Sequence, residues 1–527
     1  MDGIFEIQLR TLYSVNRMII FPRNLVFSGC LERMQTDVMM TNIPVKIWDR
    51  FEAVIENNKV YSDPYRDLTL VSEFRRPNGE KVVFWGFYDG GTTWRIRFMP
   101  DQIGHWTYRA AFSDGSKQVS GSFECVESDI PGILSVHPKN RHWFIHRSGK
   151  PLLVRSFHVG DCFFSTNLSD EKRDAFLDWA QAQGYNTLSI ASHYLNRSEP
   201  GRGQGWDTPR LWPLNAQEYQ RAEIILDNLA NRRIIVFPFA GFFGRGSNYP
   251  TDPMEQEQYI RYVLARFGAY WNLLFNVAGP EPLLNHKPYM SKGEVNRLGK
   301  LIRQLDVFHH PLTVHNQTGD DEFFDQEWLD FTTLQGPKTT NVEVLHEGLV
   351  RNRHAERPLY AQETLWSGNK YHPNYSDNQL RVNALVIHFS GGFFNFIDNG
   401  KPQPDSLGDS SAGFSGSLNL SECCQWRHDI IRNVWDFVES EITPDLHPNE
   451  DSANSGYCLA DIGKKYLVYL PFGGEVQLNL PEGKYQGVWI NATDFSNVSD
   501  LFFCQSGEVL SSPERGADCI LKLLRVV

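Results

Sequence analysis

The feature that most constrains the fold is a repeated alternation, between residues 136 and 440, of short apolar segments with segments of helical periodicity. The apolar segments are typical of buried strands, and eight of them follow one another along the chain. They lie at 150–158, 185–194, 233–241, 271–279, 310–317, 330–336, 357–364 and 391–398. Strands this apolar are covered on both faces, which favours a parallel sheet.

The helical segments between these strands carry recognisable start signals. Ser169 opens one of them, and the spacings of Asn215 with Glu218 and of Ser291 with Glu294 predict capping boxes. Eight strand-then-helix units in about 300 residues predict a (β/α)8 TIM barrel. An open doubly wound sheet is the alternative, but it usually has fewer strands, and no G-x-G-x-x-G follows the first strand here.

The segments on either side of the barrel have a different pattern. Residues 43–130 alternate apolar and polar positions between turn signals such as RPNGE and SDGS, which predicts a β-sandwich. Residues 445–527 return to the same alternation and predict a small antiparallel β-sandwich. We therefore expect a mixed α/β chain in which two β-sandwiches flank a catalytic barrel at 136–440.

Residues 1–42 match nothing that follows them. We expect this extension to be disordered or to precede a true start at Met39 or Met40. It does not have the pattern of a signal peptide, because Asp2 and Glu6 come early. No stretch of the chain approaches the ~20 apolar residues of a membrane span. The sequence therefore predicts a cytoplasmic protein without a membrane span.

The net charge disfavours some classes of binding partner, and the cysteine spacing disfavours disulfides and a metal site. The net charge is −12, from 51 basic and 63 acidic residues, which disfavours binding to nucleic acid or to an anionic membrane. Eight cysteines are scattered without C-x-x-C or Cys/His spacing, so we expect neither a disulfide framework nor a metal site. No cofactor is expected, and the sequence carries no signal of the oligomeric state.

Two glutamates stand out at the ends of predicted barrel strands. Glu281 follows the fourth strand and Glu363 ends the seventh. Active sites of such barrels lie at the carboxyl ends of the strands, and strands four and seven lie on roughly opposite sides of the ring. Glycoside hydrolysis needs two carboxyl groups that flank one bond. The pair therefore predicts a glycoside hydrolase with a carbohydrate substrate, in which Glu363 is the nucleophile and Glu281 the acid/base.

Other polar and aromatic residues at the strand ends are predicted to bind the sugar. They are His158, Asp161, His193, Tyr194, Phe243, His315, Asn316, Gln335, Trp366 and Asn395. Trp366 is expected to stack on a sugar ring, and Asp161 is the main rival for a catalytic acid, followed by Asp398. The histidines come from separate strands without local ligand spacing, which disfavours a catalytic metal.

Several other functions compete with this interpretation. A Ser-His-Asp hydrolase is disfavoured, because the chain has no G-x-S-x-G at a strand-to-helix turn. A non-catalytic carbohydrate-binding protein with an inactive barrel stays open, as does a structural protein in which the barrel is only a scaffold. The pair of glutamates is the feature that separates an enzyme from both.

The chain also resembles a known family from about residue 43 to 527. IWDRFEAVI, VVFWGFYDGGTTWRIRFMP and LADIGKKYLVYLP resemble segments of the apiosidase-like glycoside hydrolases. The resemblance implies a β-sandwich before a (β/α)8 barrel and a small β-sandwich after it. The wider clan of retaining hydrolases carries its acid/base after strand four and its nucleophile after strand seven, which implies those roles for Glu281 and Glu363. The clan has Asn immediately before the acid/base, whereas this chain has Pro280.

Overall fold

The structure, a computed structural model, describes most of the chain. It covers residues 38–40, 44–159, 161–190, 210–238, 249–278, 281–284, 290–315, 322–367, 372–398, 420 and 424–526, and of 38–40, 161, 162, 367, 397 and 398 it describes the backbone alone. The chain divides into two compact units, one of residues up to 127 and one from 128 onward, with 48–50 belonging to the second.

The first unit is built from two β-sheets. Its strands are β1 Val38–Met40, β2 Val45–Lys46, β3 Phe51–Glu56, β4 Leu70–Arg75, β5 Lys81–Trp85, β6 Phe87–Gly90, β7 Thr93–Phe98, β8 Gly104–Phe112 and β9 Gln118–Val126. One sheet has the order β1-β9-β8-β4-β5, with β2 also beside β9, and the other has the order β3-β7-β6.

Aromatic rings fill the space between these two sheets. Phe51 of one sheet stacks on Phe123 of the other at 4.1 Å, and Phe98 stacks on Phe74 across the same layer at 4.4 Å. These rings occupy the apolar positions of the alternation, so the β-sandwich is confirmed. Strand β1 lies within the predicted extension 1–42 and pairs in parallel with β9, and the extension otherwise lies outside the described residues.

The second unit begins with three short antiparallel strands and continues into eight parallel ones. The short strands are β10 Leu134–Val136, β11 Phe144–His146 and β12 Pro151–Leu152. The parallel strands are β13 Arg155–Val159, β14 Thr187–Ile190, β15 Ile235–Phe237, β16 Phe275–Asn276, β17 Leu312–Thr313, β18 Thr332–Leu334, β19 Leu359–Ser367 and β20 Phe393–Asp398.

The eight parallel strands close into a ring. Strand β13 pairs with both β14 and β20, and the order β15-β14-β13-β20-β19-β18 forms most of the circumference. The pair β16-β17 completes it, because Val236 bridges to Leu273 on one side and His315 bridges to Thr333 on the other. The (β/α)8 barrel fold is therefore confirmed, and the open doubly wound sheet is excluded.

Helices cover the outside of the ring. They are α1 Asp170–Ala182, α2 Ala216–Asn231, α3 Pro253–Phe267, α4 Lys292–Leu305, α5 Val342–Arg351, α6 Asp377–Phe389 and α7 Gln425–Glu441. A helix follows seven of the eight strands. Between β17 and β18 the described residues 322–331 form turns and no helix, and residues 316–321 lie outside the described part of the chain. Among the described residues no helix is both long and apolar enough to cross a lipid bilayer.

The predicted helix starts were mostly correct. Ser169 caps α1 by accepting a hydrogen bond from the Lys172 backbone, and Ser291 with Glu294 forms a complete capping box. The capping box predicted for Asn215 with Glu218 is half wrong. Asn215 does cap α2, but the Glu218 carboxylate accepts a hydrogen bond from the Arg210 backbone at 2.7 Å instead of closing the box.

The chain ends in antiparallel strands. They are β21 His447–Pro448, β22 Tyr457–Asp461, β23 Lys465–Leu470, β24 Glu475–Gln477, β25 Lys484–Asn491, β26 Phe502–Gln505, β27 Val509–Ser511 and β28 Cys519–Arg525. A six-stranded sheet of order β21-β22-β23-β28-β25-β26 and the pair β24-β27 enclose a core that includes Tyr466, Trp489 and Leu523. Glu441 at the end of α7 accepts from both Lys465 and Lys522 and ties this sheet to the barrel.

Candidate active site

Glu363 lies in an irregularity of strand β19. The pairing of β19 with β20 is regular up to Ala361, opposite Phe394, and resumes at Leu365, opposite Phe396. The residues between, 362–364, therefore bulge out of the ladder. Successive side chains of a regular strand point to opposite faces, whereas a bulge turns a side chain in a new direction. The side chains of Gln362 and Glu363 can consequently both contact residues of other barrel strands.

The carboxylate of Glu363 is buried, with 7% of the residue exposed, and is held through one of its oxygens. Gln335, which follows β18, donates a hydrogen bond to Glu363 Oε2 at 2.9 Å, and Lys338 Nζ lies 3.7 Å from the same atom. His315 Nε2 lies 3.7 Å from Glu363 Oε1, which is beyond hydrogen-bond distance. Within the described part of the chain, Oε1 accepts no hydrogen bond, so this oxygen is available to react.

The side chain of Gln362, next to Glu363, forms hydrogen bonds with three other barrel segments. It is fully buried; its Oε1 accepts from His315 Nε2 at 2.8 Å, and its amide nitrogen donates to His158 Nδ1 at 3.1 Å and to Ser189 Oγ at 3.0 Å. These bonds put the His315 proton on Nε2 and leave Nδ1 of His158 as an acceptor. One glutamine thus links four strands of the barrel and sets the tautomers of two histidines.

Glu281 reaches the same region from the segment after β16. Its backbone has φ of 51°, a left-handed conformation that is rare for a residue with a side chain, and its N–H donates to the His315 carbonyl at 3.1 Å. The Asn276 side chain at the end of β16 accepts from the His315 backbone N–H at 3.2 Å. Strained backbone that is held by its surroundings is common at active sites.

The charge of Glu363 acts on the carboxyl group of Glu281. Burial is the main reason that the pKa of Glu281 is raised, and the negative charge of Glu363 raises it further. His315, a hydrogen bond with the Gln335 side chain and the charge of Lys338 act in the opposite direction. Glu281 therefore holds a proton to higher pH than an ordinary glutamate, beside the same Gln335 that bonds to Glu363.

His158 lies in β13 and Asn395 in β20, and both contact Gln362 in the bulge of β19. Burial and the neighbouring His315 lower the pKa of His158 to about 3, so its ring is neutral. Asn395 is fully buried, accepts a hydrogen bond from Ser156 Oγ at 2.9 Å and donates to the Gln362 carbonyl at 3.2 Å. Both ends of the Asn395 amide are thus engaged by protein groups next to the bulge.

Trp366 and His372 form an aromatic pair next to His158. The Trp366 ring is stacked with His158 at 6.0 Å and lies 5.3 Å from the His372 ring. His372 is 8% exposed, and neither of its ring nitrogens has a hydrogen-bond partner among the residues that the structure describes. Burial, followed by the charge of Lys338, lowers the pKa of His372 to about 2. His372 is therefore a neutral imidazole whose donor and acceptor are both unused among the described residues.

The remaining predicted site residues lie outside the described part of the structure. These are His193, Tyr194, Phe243, Asn316 and the side chains of Asp161 and Asp398. Their roles stay predictions.

Three further residues of the site were not identified from the sequence. Gln362 directly precedes Glu363, and in a regular strand its side chain would point to the opposite face. Lys338 and His372 lie in connecting segments, where a charged or aromatic residue is ordinarily exposed. The one available signal was their position, because both follow predicted barrel strands.

Comparisons with known families cover two parts of the chain. Residues 44–113 match a domain of unknown function, DUF5060. Residues 138–394, which contain Glu281 and Glu363, match the apiosidase-like catalytic domain. No curated protein is significantly similar to this chain in sequence.

Solved structures with the same fold include two glycoside hydrolases and one protein that is provisionally assigned as a glycoside hydrolase. A protein of Bacteroides vulgatus, provisionally assigned as a glycoside hydrolase, matches with a TM-score of 0.70 at 18% identity over 92% of this chain and 100% of its own. A glycoside hydrolase family 5 protein of the same organism gives 0.55 at 16% identity over 75% and 95%. A third, a glycoside hydrolase, gives 0.57 at 14% over 76% and 98%. At these identities the similarity establishes the fold.

Proposed function

We propose how this chain reacts as a glycoside hydrolase, on the premise that its residues 138–394 match the apiosidase-like catalytic domain. It cleaves O-glycosidic bonds of oligo- or polysaccharides by double displacement with retention of configuration. Glu363 is the nucleophile and Glu281 is the acid/base. The observation that carries the proposal is that two buried carboxyl-bearing residues from opposite sides of the ring adjoin one histidine. The Glu281 N–H donates to the His315 carbonyl at 3.1 Å, and His315 Nε2 lies 3.7 Å from Glu363 Oε1.

The environment of each carboxyl group suits its proposed role. Glu363 Oε2 is held by Gln335 and faces Lys338, and Oε1 stays available to attack the anomeric carbon. Glu281 has a raised pKa because it is buried near Glu363, so it carries the proton that the leaving oxygen needs.

The effect of the Glu363 charge on the pKa of Glu281 also explains the second step of the reaction, the hydrolysis of the glycosyl-enzyme. When Glu363 forms an ester with the sugar, its negative charge disappears, and with it one of the causes that raise the pKa of Glu281. Glu281 has by then given its proton to the leaving group and is now a carboxylate. It can accept a proton from the water that attacks the anomeric carbon and releases Glu363.

The supporting residues divide into two groups. Gln362, Asn395 and His158 have protein partners and position the bulge that carries Glu363. Trp366, His372 and Lys338 are the proposed sugar contacts. Of these, His372 has the strongest support, because a buried imidazole without partners among the described residues normally bonds to something, and here a sugar hydroxyl can supply both a donor and an acceptor.

The stereochemical outcome tests the mechanism directly. We expect wild-type enzyme, supplied with an aryl glycoside that it cleaves, to release first the sugar anomer with the configuration of the substrate. Proton NMR during the first minutes, before mutarotation, distinguishes the two anomers. Release of the opposite anomer would replace the double displacement by a single displacement, in which Glu363 is a general base that activates water.

Replacement of His372 by Phe tests its proposed contact with the sugar. Phe keeps the ring beside Trp366 but has neither donor nor acceptor, so we expect kcat/KM to fall by about 10- to 100-fold, the equivalent of one or two lost hydrogen bonds. The unfolding temperature should not fall, since the ring nitrogens bond to no residue in the described part of the chain. Unchanged kinetics with His372→Phe would remove His372 from the binding site.

A further inference from the structure

Lys338 lies beside Glu363 but forms no hydrogen bond with any residue that the structure describes. Its Nζ is 3.7 Å from Glu363 Oε2, which is beyond hydrogen-bond distance. That oxygen accepts instead from the Gln335 side chain, at 2.9 Å. The Lys338 side chain is 21% exposed, so it is neither sealed in the core nor free in solvent. The three N–H donors of its ammonium group are therefore available to a ligand that enters the site.

The backbone on both sides of Lys338 is held by the helices behind it. A β-carbon added to Gly348 of α5 would collide with the ring of Pro337, so this proline packs directly on the helix backbone. Asn383 of α6 donates to the Thr339 carbonyl at 2.8 Å. Two separate helices thus fix the residues before and after the lysine. Such support is what a residue that recognises a ligand needs, because a fixed backbone limits where the side chain can reach.

The charge of Lys338 acts on a small set of neighbours. Among the described residues, Glu363 is the carboxylate within ion-pair distance of its ammonium group. His372 is close enough that the lysine, after burial, helps to lower the pKa of the imidazole to about 2, which leaves this ring neutral. Glu281 is affected too, but Lys338 is the weakest of the influences on its pKa, and no ion pair joins the two.

The proposed reaction removes the counter-charge of Lys338. Formation of the glycosyl-enzyme converts the Glu363 carboxylate into a neutral ester, and the transition state before it carries positive charge on the sugar ring. With a neutral sugar, the ammonium group would then lie next to a like charge while its own partner is being lost. A carboxylate on the sugar would offset both effects, because it is attracted to the ammonium group throughout the reaction.

We propose that Lys338 binds the carboxylate of an acidic sugar, so that the substrate is the glycoside of a uronic acid. An ammonium group forms a charge-assisted hydrogen bond with a carboxylate, and the unused nitrogens of His372 can bond to hydroxyl groups of the same sugar. The carboxylate belongs to the sugar that Glu363 attacks, since Lys338 forms its ion pair with Glu363. This inference rests on the proposed function and adds its substrate class.

Matched aryl glycosides test the preference for an acidic sugar. The 4-nitrophenyl glucuronides and galacturonides, as both anomers, are compared with the corresponding glucosides and galactosides, which carry a hydroxymethyl group in place of the carboxylate. We expect kcat/KM of the wild-type enzyme to be at least tenfold higher for a uronide than for its neutral counterpart. An equal or higher value for the neutral glycoside would overturn the proposal.

Substitutions of Lys338 locate the preference. Lys338→Met should lower the ratio of kcat/KM for the uronide to kcat/KM for its neutral counterpart by at least about 100-fold, because the carboxylate loses its cation. Lys338→Arg keeps the charge and should retain at least a tenth of the wild-type ratio. Lys464→Met, at an exposed lysine between β22 and β23, is the control and should keep the wild-type ratio. An equal loss on both substrates in Lys338→Met would mean that the lysine only orients Glu363, and would also overturn the proposal.

A binding measurement separates this proposal from the proposed reaction. Saturation-transfer NMR records the binding of the methyl glycosides of glucuronate, galacturonate, glucose and galactose to the full chain. Wild type should bind the two acidic sugars in preference to the neutral ones, and Lys338→Met should lose this preference. Binding of this kind without cleavage of any aryl glycoside would contradict the reaction but support the acid-binding role of Lys338. Absence of a preference in wild type would exclude that role even if neutral glycosides are cleaved.

Discussion

We expect Glu363→Ala to lower kcat by at least about 10⁴-fold on every aryl glycoside that the wild-type enzyme cleaves. The variant lacks the oxygen that forms the covalent intermediate, and no other described carboxylate occupies the bulge of β19. The loss should be similar for good and poor leaving groups, because both need the attack. Initial rates on a panel of nitrophenyl and dinitrophenyl glycosides measure it.

Two controls separate loss of chemistry from loss of structure. Glu343→Ala changes an exposed glutamate of α5, on the outside of the barrel, and should keep full activity. Azide added to Glu363→Ala can enter the space that the carboxylate leaves and attack the anomeric carbon. It should restore turnover and give a glycosyl azide of the opposite configuration to the substrate. Activity of Glu363→Ala within tenfold of wild type would exclude Glu363 as the nucleophile.

The second large effect is expected for Glu281→Ala, and it depends on the leaving group. Removing a general acid costs about 10²- to 10⁴-fold for alkoxide leaving groups, which need a proton. A dinitrophenolate leaves without one, so the first step should then be nearly as fast as in wild type. The measurement is kcat/KM against the leaving-group pKa, which should be much steeper in the variant. An equal loss for all leaving groups would instead indicate a structural role for Glu281.

The pH dependence follows from the same buried carboxyl group. The pKa of Glu281 is raised above its ordinary value of 4.5, so kcat/KM of wild type should fall as the pH rises through the raised pKa and the acid loses its proton. Glu281→Ala should lack this fall at high pH. The direction of the pKa shift also means that folded protein binds this proton more tightly than unfolded protein does.

Stability should therefore change in the same sense as activity, and both should fall as the pH rises. The contribution of Glu281 to stability is fully present below about pH 4.5 and is lost as the pH rises through the folded-state pKa. Glutamine is a neutral isostere and avoids this loss, so the Tm of Glu281→Gln should equal or exceed that of wild type at pH 7. Near pH 4 the Tm values of the two proteins should become equal. A lower Tm for Glu281→Gln at pH 7 would contradict the assigned direction.

Much of the architecture followed from the sequence alone. The apolar segments predicted all eight barrel strands, because a buried parallel strand has a short run of apolar side chains whatever its neighbours are. The capping box of Ser291 with Glu294 was predictable for a similar reason, since it depends on residues three apart. The order of the strands then put Glu281 and Glu363 at the same end of the barrel.

Two predictions of helix structure from the sequence did not hold in the described residues. Glu218 was expected to close a capping box, but Arg210, eight residues before it, offers its backbone N–H instead. The segment after the fifth strand was expected to contain a helix, whereas residues 322–331 form turns. In both places a local pattern was compatible with more than one structure, and packing selected between them.

The sequence by itself determined which residues can be strands and helices, and that two glutamates follow strands four and seven. Only the tertiary structure decided that Gln362 and Glu363 leave the regular pleat, that Gln335 bonds to Glu363, and that His372 is buried with no hydrogen-bond partner among the described residues. The physical reason is that strand and helix periodicity depends on neighbours in the chain. Side-chain direction, burial and charge pairing depend on elements far away in sequence, which come together only when the ring closes.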